Sequence, residues 1–214
     1  MRSKFDEQLA LLNRDLTKMG SLCEEALALA AKALANADGQ TAAKIAPIDS
    51  EIDQMERTIE SLCLKFLLQQ QPVARDLRQI SAALKMITDM ERIGDQASDI
   101  AEIIGFLNGR IGTDAQYICQ MAVAAMRMVT ESVEAYVKRD VAMAEATIQH
   151  DDVVDDLFLK VKESLIQMIS ENPKDGEYAL DLLMIAKYFE RIGDHATNIA
   201  EWVVFSVTGV HEQG

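Results

Sequence analysis

Apolar residues recur along this chain at steps of three and four, which is the spacing of the buried face of an α-helix. The clearest run begins near the N-terminus, with Phe5, Leu9, Leu12, Leu16 and Met19. The pattern predicts six long helices, over about 4–37, 40–70, 72–107, 113–138, 141–170 and 175–208. Because the predicted connections are short, consecutive helices should be antiparallel neighbours.

Glycine and proline mark the predicted helix ends. Gly39 and Gly209 are suited to the left-handed residue that often ends a helix. Pro47 lies inside the second helical pattern, so that helix either begins just after it or is kinked there. Pro72 suits the first turn of the third helix. Residues 108–112 are the predicted linker between two halves of the chain.

A short motif recurs in the second half. Glu91-Arg92-Ile93-Gly94-Asp95 returns 99 residues later as Glu190-Arg191-Ile192-Gly193-Asp194. A repeat of about a hundred residues indicates two copies of one small domain and not a solenoid. The sequence therefore predicts an all-α fold of two tandem, elongated three-helix bundles, over 1–109 and 110–214.

Composition supports helices and limits the partners. Of the residues, 49% are hydrophobic but only 5% are aromatic, and three prolines interrupt them. A net charge of -14 argues against nucleic acid and against direct attachment to anionic lipid, but it permits cations and basic partner proteins. The three cysteines are scattered, which predicts reduced, buried thiols. The apolar runs are too short to cross a bilayer and no signal peptide is evident, so a soluble, cytoplasmic protein is expected.

The repeated motif places carboxylates on one helix face. A narrow arc of the predicted third helix carries four acids, namely Glu91, Asp95, Asp99 and Glu102. The same arc continues backwards through apolar positions at the spacing of a buried face, namely Ile87, Leu84, Ile80 and Leu77. These acids therefore extend an apolar stripe instead of lying opposite one.

A second pair of acids precedes the motif in each half. Asp49 and Asp53 are four residues apart, and Asp151 and Asp155 follow 102 residues later in the corresponding place. Carboxylates at this spacing repel each other on a helix. Two such pairs on adjacent helices either raise each other's pKa or recruit a cation, and all-oxygen ligands favour Mg, Mn, Ca or iron, with zinc possible. A solvated acidic patch remains the alternative.

Two further features of the motif have alternative interpretations. Glycine inside a helix costs about 0.8–1 kcal/mol relative to alanine. Gly94 and Gly193 therefore indicate either close helix packing or room for an ion beside the acids. Arg92 and Arg191 are expected to be ion-pair partners of the acids. No Glu-x-x-His pair accompanies the acids, although di-iron bundles use one.

These residues together resemble the PhoU family of phosphate-specific transport accessory and regulatory proteins. The resemblance rests on Asp76-Leu77-Arg78 after Pro72, on 89–95, and on 190–201. It implies two tandem three-helix bundles that dimerise and bind divalent or trivalent metal ions (Mg, Mn, Fe or Zn) through Glu/Asp-x-x-x-Asp motifs. The implied metal ligands are Asp49, Asp53, Glu91, Asp95 and Asp99 in the first half, and Asp151, Asp155, Glu190 and Asp194 in the second.

The resemblance also implies a function. Family members act when phosphate is plentiful, bridging the ATPase subunit of the phosphate ABC transporter and the membrane sensor histidine kinase. They damp phosphate uptake and repress the phosphate regulon, and they reach the membrane only through these partners. The implied protein is not an enzyme. A metal-dependent enzyme, a metal-storage bundle and a plain helical bundle with solvated acids are the alternatives.

Overall fold

A computed structural model describes residues 2–70, 73–107, 109, 110 and 115–210, and in these residues the fold is all-α. The helices are α1 (Arg2–Asn36), α2 (Gly39–Ala42), α3 (Ile45–Gln70), α4 (Ala74–Phe106), α5 (Gln116–Lys138), α6 (Val141–Gln149), α7 (Asp151–Glu171) and α8 (Gly176–Thr208). A short 3-10 turn at Pro173–Asp175 precedes α8. None of these helices is long and apolar enough to span a membrane.

The two halves repeat the same order of helices. The first contains α1, the short α2, α3 and α4, and the second contains α5, α6, α7 and α8. The predicted all-α tandem bundle is thus confirmed. The domain boundary between residues 109 and 110 stays a prediction.

One hydrophobic core connects the two halves. The most extensive contacts join α4 to α8, and α1 packs on α5, so helices of different repeats are neighbours. The core consists mainly of alanine, isoleucine, leucine and methionine, with Phe66 and Phe189 as the largest fully buried side chains. The small alanines allow helices to approach closely, and the flexible methionines fill irregular gaps between them. The α4–α8 contact matters below because both repeated motifs lie on these helices.

The ends of the predicted helices need three corrections. The left-handed residue after α1 is Ala37 (φ 51°), and not Gly39, which is the first residue of α2. Asp38 is the reason, because its side chain accepts the Gln40 N–H at 3.0 Å and so begins a new helix. The predicted second helix is therefore divided into α2 and α3, and the predicted fifth helix is divided at His150.

The remaining proline and glycine positions agree only in part with the predicted helix ends. Pro47 is the third residue of α3, in the first turn, where its missing N–H has no intrahelical acceptor to lose. Gly209 ends α8 with φ 80°, as predicted. Pro72 lies outside the described residues. Of the predicted linker, only Gly109 and Arg110 are described, and Gly109 is left-handed with φ 78°.

Ala37→Gly is expected to stabilise the protein by about 0.5–1 kcal/mol. A left-handed conformation costs a non-glycine residue about 1–2 kcal/mol, and glycine avoids this cost but loses more entropy on folding. Urea unfolding monitored by circular dichroism would measure the change. Ala43→Gly is the control, since Ala43 has ordinary helical dihedrals (φ −61°, ψ −13°) and should lose stability. A loss of stability in Ala37→Gly would contradict the prediction.

Candidate functional site

Asp49 lies against the glycine of the first motif. A Cβ atom added to Gly94 would be 2.7 Å from Oδ1 of Asp49, so α4 needs glycine here to approach the carboxylate. Oδ2 of Asp49 accepts a hydrogen bond from Ser98 Oγ at 2.8 Å. Oδ1 is buried and has no hydrogen-bond partner among the described residues. A buried acceptor without a partner is costly, so this oxygen is suited to binding a cation or a water molecule.

In the first half, the charges of four neighbouring acids affect one another's pKa. Burial raises the pKa of Asp49, the Ser98 hydrogen bond opposes this, and the nearby charges of Asp95 and Asp53 raise it further. Burial and Asp95 likewise raise the pKa of Glu91. We call Asp49, Asp53, Glu91 and Asp95 the first acidic group.

The second half repeats this arrangement. A Cβ atom on Gly193 would lie 3.0 Å from Oδ1 of Asp151. Burial raises the pKa of Asp151 to about 6, with further contributions from Asp194, Asp155 and Glu190. These four residues form the second acidic group.

Corresponding pairs of acids interact across the helices in both groups. Asp95 is the largest charged contributor at Asp49, and its repeat equivalent Asp194 is the largest at Asp151. One helical turn away, Asp53 contributes to the raised pKa of Glu91, and Glu190 to that of Asp155. The two repeats thus place their acids in two matching tiers between antiparallel helices.

Side-chain cations partly neutralise both groups. Arg92 lies 3.5 Å from Glu91 Oε2 and 3.2 Å from Asp95 Oδ2, which confirms that it is an ion-pair partner. In the second group Lys187 pairs with Glu190. Arg191 forms no close ion pair within the described part of the chain. It lies 5.9 Å from the Tyr188 ring centroid, and its charge lowers the pKa of Asp99.

The carboxylates of the two acidic groups are too far apart to hold a metal ion as they stand. Within residues 7–68, 73–107, 109, 110 and 115–210, no three His, Cys, Asp or Glu side chains are grouped closely enough to hold one ion. Mutual repulsion and the pairing with Arg92 and Lys187 separate the carboxylates. The oxygen donors and the unpartnered Asp49 Oδ1 suit a hard cation, whose binding would require these side chains to turn towards each other.

Asp99 lies between the first acidic group and the α4–α8 contact. Burial raises its pKa and Asp95 adds to this, but a hydrogen bond with Tyr188 of α8 opposes the increase. Its repeat equivalent Asn198 donates to Asp89 Oδ1 at 3.2 Å, and His195 Nδ1 lies 2.9 Å from the same oxygen. These polar pairs join the two repeats beside the acidic groups.

Sequence reasoning missed several neighbours of the acids. Glu56 raises the pKa of Glu91, and it follows Asp53 by three residues, a spacing that places both on one face. Ser98 follows Gly94 by four residues, so the same rule could have found it. No sequence signal points to Tyr188, since its contact with Asp99 depends on how the repeats pack.

Asp151→Asn is expected to stabilise the metal-free protein at pH 7 by about 1 kcal/mol. A folded-state pKa of about 6 lies above the unfolded value, so protonation favours the folded state. That contribution is complete below pH 4 and lost as the pH rises through about 6. The shift alone corresponds to about 3 kcal/mol, and partial solvation of the side chain lowers the expected effect to about 1 kcal/mol.

Unfolding with chelator present, from pH 4 to 7, would measure this difference. Asn at this position should flatten the pH dependence, while Asp152→Asn, at an exposed neighbour, serves as the control. Equal pH dependence in Asp151→Asn and the wild type would contradict the prediction.

Comparison with known proteins identifies the family. The model of the PhoU domain matches residues 16–104 and again 118–203, and so covers both repeats. The chain belongs to the PhoU family. The two matches contain the first and second acidic groups, respectively.

Relatives match this chain over nearly its full length. A phosphate-specific transport system accessory protein PhoU homolog of Clostridium acetobutylicum is 36% identical over 97% of this chain and 96% of the relative. A homolog with the same description from Synechocystis is 36% identical over 99% of this chain and 94% of the relative.

Crystal structures agree with the fold. PhoU from Pseudomonas aeruginosa is 34% identical, with a TM-score of 0.92 over 96% of this chain and all of that one. The phosphate transport system regulatory protein PhoU from Streptococcus pneumoniae is 25% identical, with a TM-score of 0.88 over 98% and 99%.

Proposed function

We propose that this PhoU protein is a regulatory accessory protein of phosphate transport. The observation that carries this proposal is its similarity to phosphate-specific transport accessory proteins along nearly the whole of both chains. In the proposed role it acts when phosphate is plentiful, connecting the ATPase subunit of the phosphate ABC transporter to the sensor histidine kinase of the phosphate regulon. It works in the cytoplasm as a homodimer, reaches the membrane through these partners, and is not an enzyme.

Metal binding by the acidic groups is part of the proposal. The support is threefold: all-oxygen donors, the buried Asp49 Oδ1 without a partner, and the raised pKa of Asp151. Asp49, Asp53, Glu91 and Asp95 would hold an ion in the first half, with Asp99 as a further oxygen donor. Asp151, Asp155, Glu190 and Asp194 would do so in the second. The ion, a divalent or trivalent Mg, Mn, Fe or Zn, would neutralise the repelling carboxylates and draw α3 towards α4 and α7 towards α8.

Deletion of the gene tests the regulatory role. Cells lacking the protein and grown with abundant phosphate should take up phosphate faster and express the phosphate-starvation genes, and the wild-type gene should restore both. Unchanged uptake and expression would contradict the role. Direct association is tested by co-purification with the transporter's ATPase subunit and with the kinase, each expressed without the other. Phosphoester turnover that Glu91→Ala abolishes would instead establish an enzyme.

A further inference from the structure

Three arginines come together at one corner of this strongly acidic chain. Arg75 and Arg78 lie three residues apart in the first turns of α4, so they share a face. Arg139 follows α5 directly, and Tyr136 of that helix donates a buried hydrogen bond to the backbone carbonyl of Gln79 at 3.1 Å. This bond fixes the end of α5 against the start of α4. We call these three residues the arginine corner.

The corner accumulates positive charge without acidic partners. No described carboxylate forms an ion pair with Arg75, Arg78 or Arg139, although the chain has 35 acids for 21 basic residues. Burial and the charges of Arg75 and Arg78 lower the pKa of Arg139, whereas Tyr136 and Asp76 oppose this. Like charges therefore face each other here at a cost in free energy.

Arg78 is only partly exposed in this corner. Arg78 packs against the end of α8, where a Cβ atom on Gly209 would lie 3.5 Å from its guanidinium carbon. Its Nε is buried and has no hydrogen-bond partner among the described residues. Positive charge is unfavourable at a helix N-terminus, and Val73, the residue before α4, offers no side-chain cap to the first amides. A bound anion would offset the positive charge at this helix start.

The other repeat shows that the fold does not need this charge. Ala37 occupies the equivalent of Arg139, with φ 51° where Arg139 has φ 58°. Lys174 and Glu177 stand in place of Arg75 and Arg78. At that corner Arg110 pairs with Asp175 at 2.6 Å and stacks on Tyr178 at 4.1 Å, so its charge is compensated. The same backbone geometry thus carries basic side chains that are paired with acids in one repeat and basic side chains without such pairs among the described residues in the other.

We propose that Arg75, Arg78 and Arg139 bind a tetrahedral oxyanion where the start of α4 meets the ends of α5 and α8. Guanidinium groups donate paired hydrogen bonds in a geometry that matches phosphate oxygens. The first amides of α4, which have no side-chain cap from Val73, are further donors of the kind that bind phosphate at helix N-termini. The site is separate from the acidic groups, and its ligand-binding test does not depend on the proposed regulatory role.

Calorimetric titration with inorganic phosphate tests this site. The full chain should bind phosphate at constant ionic strength set with chloride. Arg75→Gln and Arg139→Ala should each weaken binding at least about tenfold, because a hydrogen bond to a charged group is lost. Arg139→Ala copies the residue that the other repeat already accepts at this position. Arg75 is exposed, so Arg75→Gln should fold whatever the outcome at Arg139.

Arg14→Gln is the matched control, since it removes one exposed arginine of α1 away from the corner. Its phosphate affinity should equal that of the wild type. Thermal unfolding without phosphate shows whether each variant is folded. Absence of phosphate binding in the wild type would overturn the proposal, as would unchanged binding in folded Arg75→Gln or equal weakening in Arg14→Gln.

Discussion

Replacing Asp95 and Asp194 together by alanine is expected to abolish metal binding while leaving the helices folded. Each is the strongest charged neighbour of the aspartate on the opposite helix, Asp49 or Asp151. Without it, each group loses the carboxylate whose charge acts most strongly on that aspartate. Neither residue fills the core, since Asp95 is half-buried and Asp194 is exposed. Elemental analysis of protein purified without chelator would measure the loss.

The same variant makes an energetic prediction. Metal at about 100 times its Kd should stabilise the wild type by about 2.7 kcal/mol for each of the two proposed sites, because it binds the folded state only. The variant should gain nothing. Metal-free, it should be at least as stable as the wild type, because it has fewer repelling carboxylates.

Glu25→Ala/Glu163→Ala is the control. It removes the same total charge from exposed positions outside both acidic groups. It should keep its metal and its response to metal. Unchanged metal content in the Asp95/Asp194 variant would sink the metal hypothesis. Equal losses of bound metal in the variant and the control would show that the acids only attract cations non-specifically.

Most of the fold could be predicted because helical periodicity is local. The spacing of apolar residues gave α1, α4 and α8 to within a few residues, since each is a single amphipathic run. The divided helices could not be predicted as easily. Asp38 begins α2 by capping it with its side chain, and this local hydrogen bond overrides the glycine that follows. Leu77, assigned to the buried stripe, is 47% exposed because it lies near the start of α4.

The candidate site could likewise be predicted only in part. The matching tiers of acids follow from i,i+4 spacing, the repeat and antiparallel packing, all readable in the sequence. The hydrogen bond between Asp99 and Tyr188 depends on how α4 packs against α8, and no local sequence pattern predicts that packing. The different partners of Arg92 and Arg191 also reflect this packing, because Tyr188 lies beneath only one of them. The repeat alone would have given both arginines the same role.

Gly94→Ala is expected to destabilise the protein by about 1–2 kcal/mol. Alanine gains about 0.8–1 kcal/mol in helix propensity, but its Cβ would meet Asp49 Oδ1 at 2.7 Å and Ile52 Cδ1 at 3.0 Å. Such overpacking typically costs about 1–3 kcal/mol, and a displaced buried carboxylate adds to it. Urea unfolding of metal-free protein would measure the change. Gly105→Ala, in the same helix with nothing within 4 Å, is the control and should not lose stability.

A second substitution separates the two interpretations of this glycine. If Gly94 serves only close packing of α3 on α4, Asp49→Ala will not rescue Gly94→Ala, because the Ile52 contact remains. If the glycine makes room for the Asp49 carboxylate, the double variant should recover at least about 1 kcal/mol relative to the sum of the single variants. The geometry favours recovery, since the carboxylate oxygen is the nearest atom and Ile52 Cδ1 is the end of a flexible side chain. Additive losses would show that Gly94 is a packing residue, and the repeated motif would then say nothing about cations.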